Sequence, residues 1–315
     1  MLTYLVTGGA GFIGSHLCEK LLSEESRVIC IDNLITGRIE NIKNLLSNPN
    51  FSFIKHDITK PLSNYKLPTT NYQLIFHLAS PASPPQYQKY SIETLLTNSI
   101  GTKNILDIAI KNNAKILIAS TSEVYGDPQI HPQPETYWGN VNPVGVRSCY
   151  DESKRFAESL TMEYIRKKNC RGIIVRIFNT YGPKMAKDDG RVVSNFCYSA
   201  THREPLLVYG DGTQTRSFCY ISDMVEGLLK ALQKGKIGQV YNIGNPDEKK
   251  VIELAKIIKK LANSHSQIKF EQKPEEDPTR RKPDIEKIKR EIGWQPKVNL
   301  EDGLIKTIEY FRSIK

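Results

Sequence analysis

A doubly wound parallel α/β sheet carrying a smaller mixed α/β lobe is the fold the sequence predicts, and three observations predict it. Short runs rich in Ile, Leu and Val alternate with amphipathic stretches through the first 180 residues. A glycine-rich turn follows the first of those runs. Beyond residue 180 the alternation gives way to Gly- and Pro-rich loops between shorter strands and helices. The chain is therefore divided into a sheet domain over residues 1–180 and, over 181–315, mainly a second lobe, with some segments returning to the first domain.

The expected strands are Leu2–Thr7, Arg27–Asp32, Phe51–Asp57, Gln73–Ala79, Lys115–Ser120 and Gly172–Phe178. Their near-continuous apolar character is that of strands covered on both faces. Apolar residues at Ile92, Leu95, Leu96, Ile100, Ile105, Leu106, Ile108 and Ala109 give helical spacing from Ser91 to about Asn112. A second helix opens near Tyr150 and runs to about Lys168, and the two are expected on one face of the sheet. The second lobe should contain strands Leu206–Tyr209 and Val240–Ile243, with helices near Val192–Thr201, Asp223–Leu232, Lys249–Leu261 and Leu300–Phe311. It is expected to close over the sheet's C-terminal edge.

Composition narrows the function. With 315 residues, 39% hydrophobic and 25% charged, the chain has the make-up of a globular protein. No apolar run reaches the roughly 18 residues that span a bilayer, and Met1-Leu-Thr-Tyr-Leu-Val enters a strand pattern at once, so a soluble, cytoplasmic protein without a membrane partner is expected. The six cysteines stand singly, with no C-x-x-C pair, and read as reduced thiols; no metal site is implied. His77, at the end of an apolar strand, reads as a packed residue. The formal charge of +10 invites an anionic partner, but aromatics do not alternate with the basic residues as nucleic-acid stacking requires, which favours a small phosphate-bearing substrate.

The chemistry begins at Thr7-Gly8-Gly9-Ala10-Gly11-Phe12-Ile13-Gly14. Glycines at 8, 11 and 14 allow a tight turn, close approach to a pyrophosphate and close helix packing, with helix N–H groups facing the anion. The second strand ends at Asp32-Asn33, where an acidic side chain accepts hydrogen bonds from an adenosine ribose and repels a 2′-phosphate. That selects NAD on a Rossmann domain, with Arg38 as the one nearby group that could suit the phosphorylated cofactor.

The strand Lys115–Ile118 runs into Ala119-Ser-Thr-Ser-Glu-Val-Tyr-Gly126, so a buried strand ends in three hydroxyls and a carboxylate. Such residues can be turn caps or a site. Downstream, Tyr150 and Lys154 sit four apart on one helical face. An ammonium beside a phenol favours the phenolate, giving a base able to take a proton from a sugar hydroxyl, and Lys154 is expected to lower the Tyr150 pKa.

Glycine turn, polar strand end and Tyr-x-x-x-Lys, in that order, resemble the extended short-chain dehydrogenase/reductases that act on nucleotide sugars, and the resemblance covers nearly the whole chain. It implies that Tyr150 is the acid/base on the sugar's 4-hydroxyl, that Lys154 binds the nicotinamide ribose and that hydride passes between C4 and NAD. Further cofactor contacts fall, by the same resemblance, on Phe12, Ile13, Asn33, Thr36, Gly37 and Arg38. The others are Asp57, Ile58, Leu78, Ala79, Ser80 and Asn98. Members that expel water carry Thr-Asp-Glu at the strand end; Thr121-Ser122-Glu123 here keeps the Glu and lacks the Asp.

Within the family the chain is similar to members that decarboxylate UDP-glucuronate. The matching stretches include His77-Leu-Ala-Ser-Pro-Ala-Ser-Pro84, Tyr137-Trp-Gly-Asn-Val-Asn-Pro143, Arg147-Ser-Cys-Tyr-Asp-Glu-Ser-Lys-Arg155, Asp189-Gly-Arg-Val-Val-Ser-Asn-Phe196, Tyr209-Gly-Asp-Gly-Thr-Gln-Thr-Arg-Ser-Phe218 and Arg281-Lys-Pro-Asp-Ile285. Ser80 stands where Cys is expected, and Ser99-Ile100 also varies the pattern. The resemblance implies a UDP-glucuronate substrate, with Thr121, Glu123, Tyr150, Lys154 and Arg281 catalytic. It places Pro81, Asn179, Arg191, Tyr209, Gln214 and Arg216 on the substrate beside Glu123, Tyr150 and Arg281. Arg281 is expected at the sugar carboxylate, although Arg280 leaves the register open. A 4-epimerase, a decarboxylase that releases the 4-keto pentose and a non-catalytic NAD sensor are the competing readings. The helices at Ser91–Asn112 and Tyr150–Lys168 could pair with their copies as a four-helix bundle, so a homodimer is expected.

Overall fold

Seven parallel strands form the central sheet of the computed structural model, which describes residues 1–61, 72–273, 276 and 278–314. The first six are β1 (Thr3–Thr7), β2 (Arg27–Asp32), β3 (Phe51–Lys55), β4 (Leu74–His77), β5 (Lys115–Thr121) and β6 (Arg171–Ile177). The short strands β7 (Thr180–Tyr181), β8 (Leu206–Tyr209), β9 (Thr215–Ser217) and β10 (Cys219–Tyr220) follow, and then β11 (Val240–Ile243), β12 (Glu248–Lys250), β13 (Ile268–Glu271) and β14 (Arg280–Arg281). The sheet order is β11-β6-β5-β4-β1-β2-β3, so the direction of winding reverses between β1 and β4. In such sheets a crevice opens outside the strands' carboxyl ends at that reversal.

The sequence reading assigned Val240–Ile243 to the second lobe. It is instead the seventh strand of the main sheet, in parallel register from Val240↔Ile174 to Ile243↔Ile177. Four residues cannot announce their neighbours, and only the return of the chain through a long helix brings this segment to the β6 edge.

Alternate side chains of each strand enter two cores. Leu5, Ile29, Ile75, Ile116, Ile118 and Ile174 face one side, against Ile105, Leu106 and Ala109 of α4 (Thr102–Lys111) and Tyr164 of α5 (Ser148–Lys168). Tyr4, Val6, Val28, Phe76, Leu117 and Val175 face the other side, against α1 (Phe12–Ser23) and the helices that follow residue 190. These are α6 (Val192–His202), α7 (Ile221–Lys234), α8 (Val251–Leu261), α9 (Glu286–Ile292) and α10 (Leu300–Ser313). Trp294 is fully buried among them, its Nε1–H donating to the Asp223 carbonyl at 3.1 Å.

The expected helix from Ser91 to Asn112 is broken. Beyond the short α2 (Pro84–Lys89), it consists of α3 (Ser91–Leu96), a π-helical turn over Thr97–Gly101, and α4. Such a turn inserts one residue and is common next to functional sites. Here it accompanies the burial of Asn98, whose amide donates to Ser80 Oγ and Ser153 Oγ, both at 3.0 Å.

β5 outlasts β4. Its pairing with β4 ends at His77↔Ile118, while Ala119, Ser120 and Thr121 pair only with β6. The polar end of the strand thus runs past the sheet's shorter neighbour at the crevice.

Candidate active site

The crevice is one cavity of about 880 Å³ that runs from the glycine turn to Arg216 and Arg281. At its first end Gly8 has φ +74°, and a Cβ there would lie 2.7 Å from the Ala79 nitrogen. A Cβ on Gly14 would lie 2.2 Å from the Gly8 carbonyl oxygen. Bare backbone is therefore required where α1 begins, and Gly11 forms the helix N-cap. The Asp32 carboxylate accepts from the Ala10 and Leu34 N–H groups at 3.0 and 2.8 Å; burial raises its pKa, against the pull of those bonds. Phe12, Ile13, Asn33, Thr36, Gly37, Arg38, Asp57 and Ile58 line this end, with Leu78, Ala79 and Ser80 opposite. Arg38 donates to the Lys184 carbonyl at 2.8 Å. A glycine cradle at a helix N-terminus, with a carboxylate one strand away, fits an adenine dinucleotide such as NAD.

Asn98 alone among the residues expected at the cofactor does not line the cavity. It stands behind the wall and holds Ser80, which lines it. His77 is buried between two threonines, with Nδ1 2.7 Å from Thr7 Oγ1 and Nε2 3.1 Å from Thr102 Oγ1. Burial first, and then Lys154, hold its pKa down at about 3. Among the described residues no group of three or more His, Cys, Asp or Glu side chains is placed to hold a metal ion.

In the middle of the cavity the polar strand end serves as a cap and lines the cavity. Thr121 Oγ1 accepts from the Glu123 N–H at 3.3 Å, starting a 3₁₀ turn over Ser122–Tyr125, and the same side chain is hydrogen-bonded to the Tyr150 phenol. Ser120 points elsewhere and donates to Glu158, which is paired with Arg176. Tyr150 stacks on Tyr87 with ring centroids 4.9 Å apart and planes 3° from parallel.

Lys154 does not lower the Tyr150 pKa as its spacing suggested. Its ammonium donates to the Ala119 carbonyl at 2.8 Å and lies 5.8 Å from the centre of the Tyr150 ring. Burial raises the phenol's pKa well above 10, with the Thr121 bond opposing, while the lysine's own pKa is pushed down to about 7 by the same desolvation. Desolvation penalises both charged forms here.

Glu123 is the electrostatic centre. Arg281 meets it with two nitrogens, one bond from Nη2 to Oε2 being 2.8 Å, and Arg147 donates to Oε2 as well. Burial alone would raise the carboxyl's pKa, yet the Arg281 and Arg147 guanidiniums overcome that and hold it at about 2. Breaking such a buried pair typically costs about 3–5 kcal/mol. Arg281 is buried on β14 while Arg280 is exposed, as strand alternation demands, so it is Arg281 that reaches the cavity. Asp151 stands one turn along α5 from Arg147, its Oδ2 3.8 Å from the guanidinium Nε. Burial, then the Glu123 charge, push its pKa up to about 7.

Pro81, Asn179, Arg191, Tyr209, Gln214 and Arg216 also line the cavity, the Arg191 guanidinium lying 6.0 Å from the centre of the Phe12 ring. Gln214 donates to the Tyr209 carbonyl at 2.7 Å, and Arg191 grips Asp189 with two bonds of 2.5 and 2.7 Å. Arg216 on β9 is in register with Arg281 on β14, which aligns two cations side by side. Sequence reasoning missed Arg147, Asp151 and Tyr87. The first two carry a legible signal, since Arg147 precedes Tyr150 by three residues and Asp151 follows Arg147 by four, placing all three on one side of α5.

Comparison with known proteins agrees with this geometry. The family described as GDP-mannose 4,6 dehydratase matches residues 5–307. UDP-glucuronic acid decarboxylase 2 of Arabidopsis thaliana is 51% identical over 311 residues, covering 99% of this chain and 68% of the relative. UDP-glucuronic acid decarboxylase 3 of the same plant is 52% identical over 309 residues, covering 98% and 88%. Among solved structures, the UDP-glucuronic acid 4-epimerase of Bacillus cereus, in complex with UDP-glucuronic acid and NAD, superposes with a TM-score of 0.88 at 29% identity, covering 98% of this chain and 99% of that one.

Proposed function

The chain belongs to the UDP-glucuronic acid decarboxylases, a group of the extended short-chain dehydrogenase/reductase family, and on that premise we propose that it converts UDP-glucuronate to UDP-xylose and CO2 with NAD as a recycled cofactor. The observation that carries the reading is Glu123 held between Arg147 and Arg281, one short 3₁₀ turn from the Thr121–Tyr150 pair. A neutral sugar needs no such cluster.

Bound NAD would supply the chemistry the side chains lack, taking a hydride from C4 of the sugar and returning it. Tyr150, ionised under the added positive charge that bound NAD would bring, would receive the proton of the 4-hydroxyl and later give it back, and Thr121 would hold the same oxygen as its charge changes. A ketone at C4 is β to the C6 carboxylate, so the electrons of the breaking C5–C6 bond have an enolate to enter, and a proton from water then reaches C5 before the hydride returns to C4. Arg281 orients the carboxylate, and Glu123 places a negative charge beside it that favours departure as neutral CO2. Lys154, anchored on Ala119 below Tyr150, is positioned for the nicotinamide ribose. Asn179, Arg191, Gln214 and Arg216 line the cavity with groups suited to a diphosphate and uridine. The six unpaired thiols suit a cytoplasmic location. No helix among the described residues is long and apolar enough to cross a membrane.

The test is purified protein with NAD and UDP-glucuronate, followed by CO2 release, absorbance of reduced cofactor and NMR of the sugar. UDP-xylose and CO2 with no lasting reduced cofactor are expected. UDP-galacturonate would make the protein an epimerase, and a 4-keto pentose with accumulating reduced cofactor would make it a decarboxylase that releases the intermediate.

The same reading includes a homodimer. Ile92, Leu95, Leu96 and Ile100 are exposed along the broken helix, and Phe156 is half exposed on α5, which packs beside it. Such a continuous apolar strip suits burial against its own copy in a four-helix bundle. Light scattering at micromolar concentration should give twice the 35.8 kDa chain mass, and a monomer mass would remove the dimer.

A further inference from the structure

We propose that Asn242 is a positioning residue for this reaction: its side-chain amide fixes the strand that carries Arg281 to the turn that carries Glu123, and so sets the place where the hexuronate carboxylate is received. The inference rests on the decarboxylase reading and extends it to a residue that does not line the cavity.

Asn242 is fully buried in β11, between Tyr241 and Ile243, which are buried as completely, and an amide in such a strand needs partners. It has them, and they come from two separate segments. Oδ1 accepts from the Tyr125 hydroxyl at 2.8 Å, and Tyr125 closes the 3₁₀ turn that contains Glu123. Nδ2 donates to the Gln133 carbonyl at 2.9 Å and to the Asp284 carbonyl at 3.1 Å. Two carbonyls can only accept, so the amide has a single orientation, and both its N–H groups are used. Gln133, itself fully buried, extends the grip along the Arg281 segment. Its N–H donates to the Lys282 carbonyl and its Oε1 accepts from the Lys282 N–H, both at 2.9 Å, while its carbonyl also accepts from the Asp284 N–H at 3.0 Å. Arg281 is the residue next to Lys282. The chain of bonds therefore leads from the Glu123 turn through Tyr125, Asn242 and Gln133 to Arg281, and the Arg281–Glu123 ion pair closes it into a ring.

The ion pair needs such a hub. A bidentate guanidinium contact tolerates little displacement, because both nitrogens must face the carboxylate oxygens. Strand β14 pairs with β9, and β5 pairs with β4 and β6, so among the described residues no ladder sets Arg281 against Glu123. A second tie exists at the other side of β14, where Asp127 accepts from the Thr279 N–H and hydroxyl at 3.1 and 3.2 Å. Both of those residues are exposed, and water competes for the same bonds. The Asn242 bonds lie in the interior, where their loss would leave two carbonyls and a phenol unmet. The hub thus stands behind the wall and bears on the carboxylate's cation without touching the sugar or the nucleotide.

The test compares two ligands with the same nucleotide, one with the carboxylate and one without. UDP-glucuronate and UDP-xylose are titrated by calorimetry into the NAD-loaded Tyr150→Phe protein, in which turnover is suppressed, and into the same protein carrying Tyr125→Phe or Asn242→Leu. Tyr125→Phe keeps the ring and removes the hydroxyl; Arg176, which also donates to that hydroxyl, keeps its bonds to Glu158. It is expected to weaken UDP-glucuronate by about fivefold, the scale of one hydrogen bond, and UDP-xylose by less than about twofold. Asn242→Leu, which removes all three side-chain bonds, should weaken UDP-glucuronate by about 30-fold and UDP-xylose by less than about threefold. In protein that also carries Arg281→Gln, Tyr125→Phe should change neither ligand by more than about twofold, because the hub acts through Arg281. Equal weakening of both ligands, or a lowered melting temperature with the ratio of the two affinities unchanged, marks a purely structural role and overturns the inference. A full further loss in the Arg281→Gln protein overturns it as well. Should Asn242→Leu fail to fold, Tyr125→Phe and its cycle with Arg281→Gln decide. Release of CO2 by the wild-type protein separates the two levels. If it occurs and the ratio does not move, the inference alone falls; if it does not occur, the decarboxylase reading falls and takes the inference with it.

Discussion

Tyr150→Phe should lower kcat for UDP-glucuronate decarboxylation by about three orders of magnitude, within the range for loss of a general acid–base, while KM changes by less than about threefold. The ring is what the fold holds. It is buried, stacked face to face on Tyr87, and carried on a 21-residue helix packed against β5 and β6. Phenylalanine keeps all of that and removes only the oxygen. The hydroxyl's partner Thr121 still caps the Glu123 N–H, so no cluster of the site is left open. The loss should therefore fall on the chemical step, measurable by steady-state rates alongside an unchanged melting temperature. A loss below tenfold would mean that another group moves the proton from the 4-hydroxyl.

The same tyrosine shows where sequence reasoning reached and where it stopped. Spacing along one helix placed Tyr150 and Lys154 together, and the structure does bring both to the cavity. Their electrostatic relation was not legible, because it depends on burial and on the Ala119 carbonyl that captures the ammonium, and both are products of tertiary packing. The six leading strands were legible from apolar runs, since strands covered on both faces announce themselves by composition. The four residues of β11 and the two of β14 were not assignable in the same way. A strand of that length is defined by its neighbour, as Arg281 is by Arg216.

The π-helical turn at Thr97–Gly101 makes the same point within a helix. The apolar periodicity across it reads as one uninterrupted element, and what interrupts it is a buried polar demand, the Asn98 amide reaching Ser80 and Ser153. Tyr87 left no mark in the sequence at all, because it lies against a ring 63 positions away, that of Tyr150. Local rules found the candidate catalytic groups and missed those packed around them.

Glu123→Gln is expected to reduce kcat by about 100- to 1,000-fold while leaving KM for UDP-glucuronate unchanged or lowering it, a combination that separates electrostatic strain from simple binding. In the wild-type site the Glu123 charge occupies Arg281 and Arg147, with its side chain only 14% exposed. A substrate carboxylate entering beside it gains the cations only in competition with Glu123, and that competition ends when the carboxylate leaves as neutral CO2. At an effective dielectric constant of about 20, a unit charge about 4 Å away is worth about 4 kcal/mol, the size of a three-decade effect. Glutamine preserves the shape and removes the charge, so Arg281 and Arg147 no longer divide their attraction between Glu123 and the substrate's anion. The ground state then gains what the departing CO2 cannot keep, and the acid should bind at least as tightly and react slowly. Because the change also leaves two buried cations less well matched, UDP-xylose titration of the variant serves as the control for an intact site. A variant with intact UDP-xylose binding, normal kcat and raised KM would assign Glu123 to orienting Arg281 alone, and the push toward CO2 would have to come from the ketone without help from the protein.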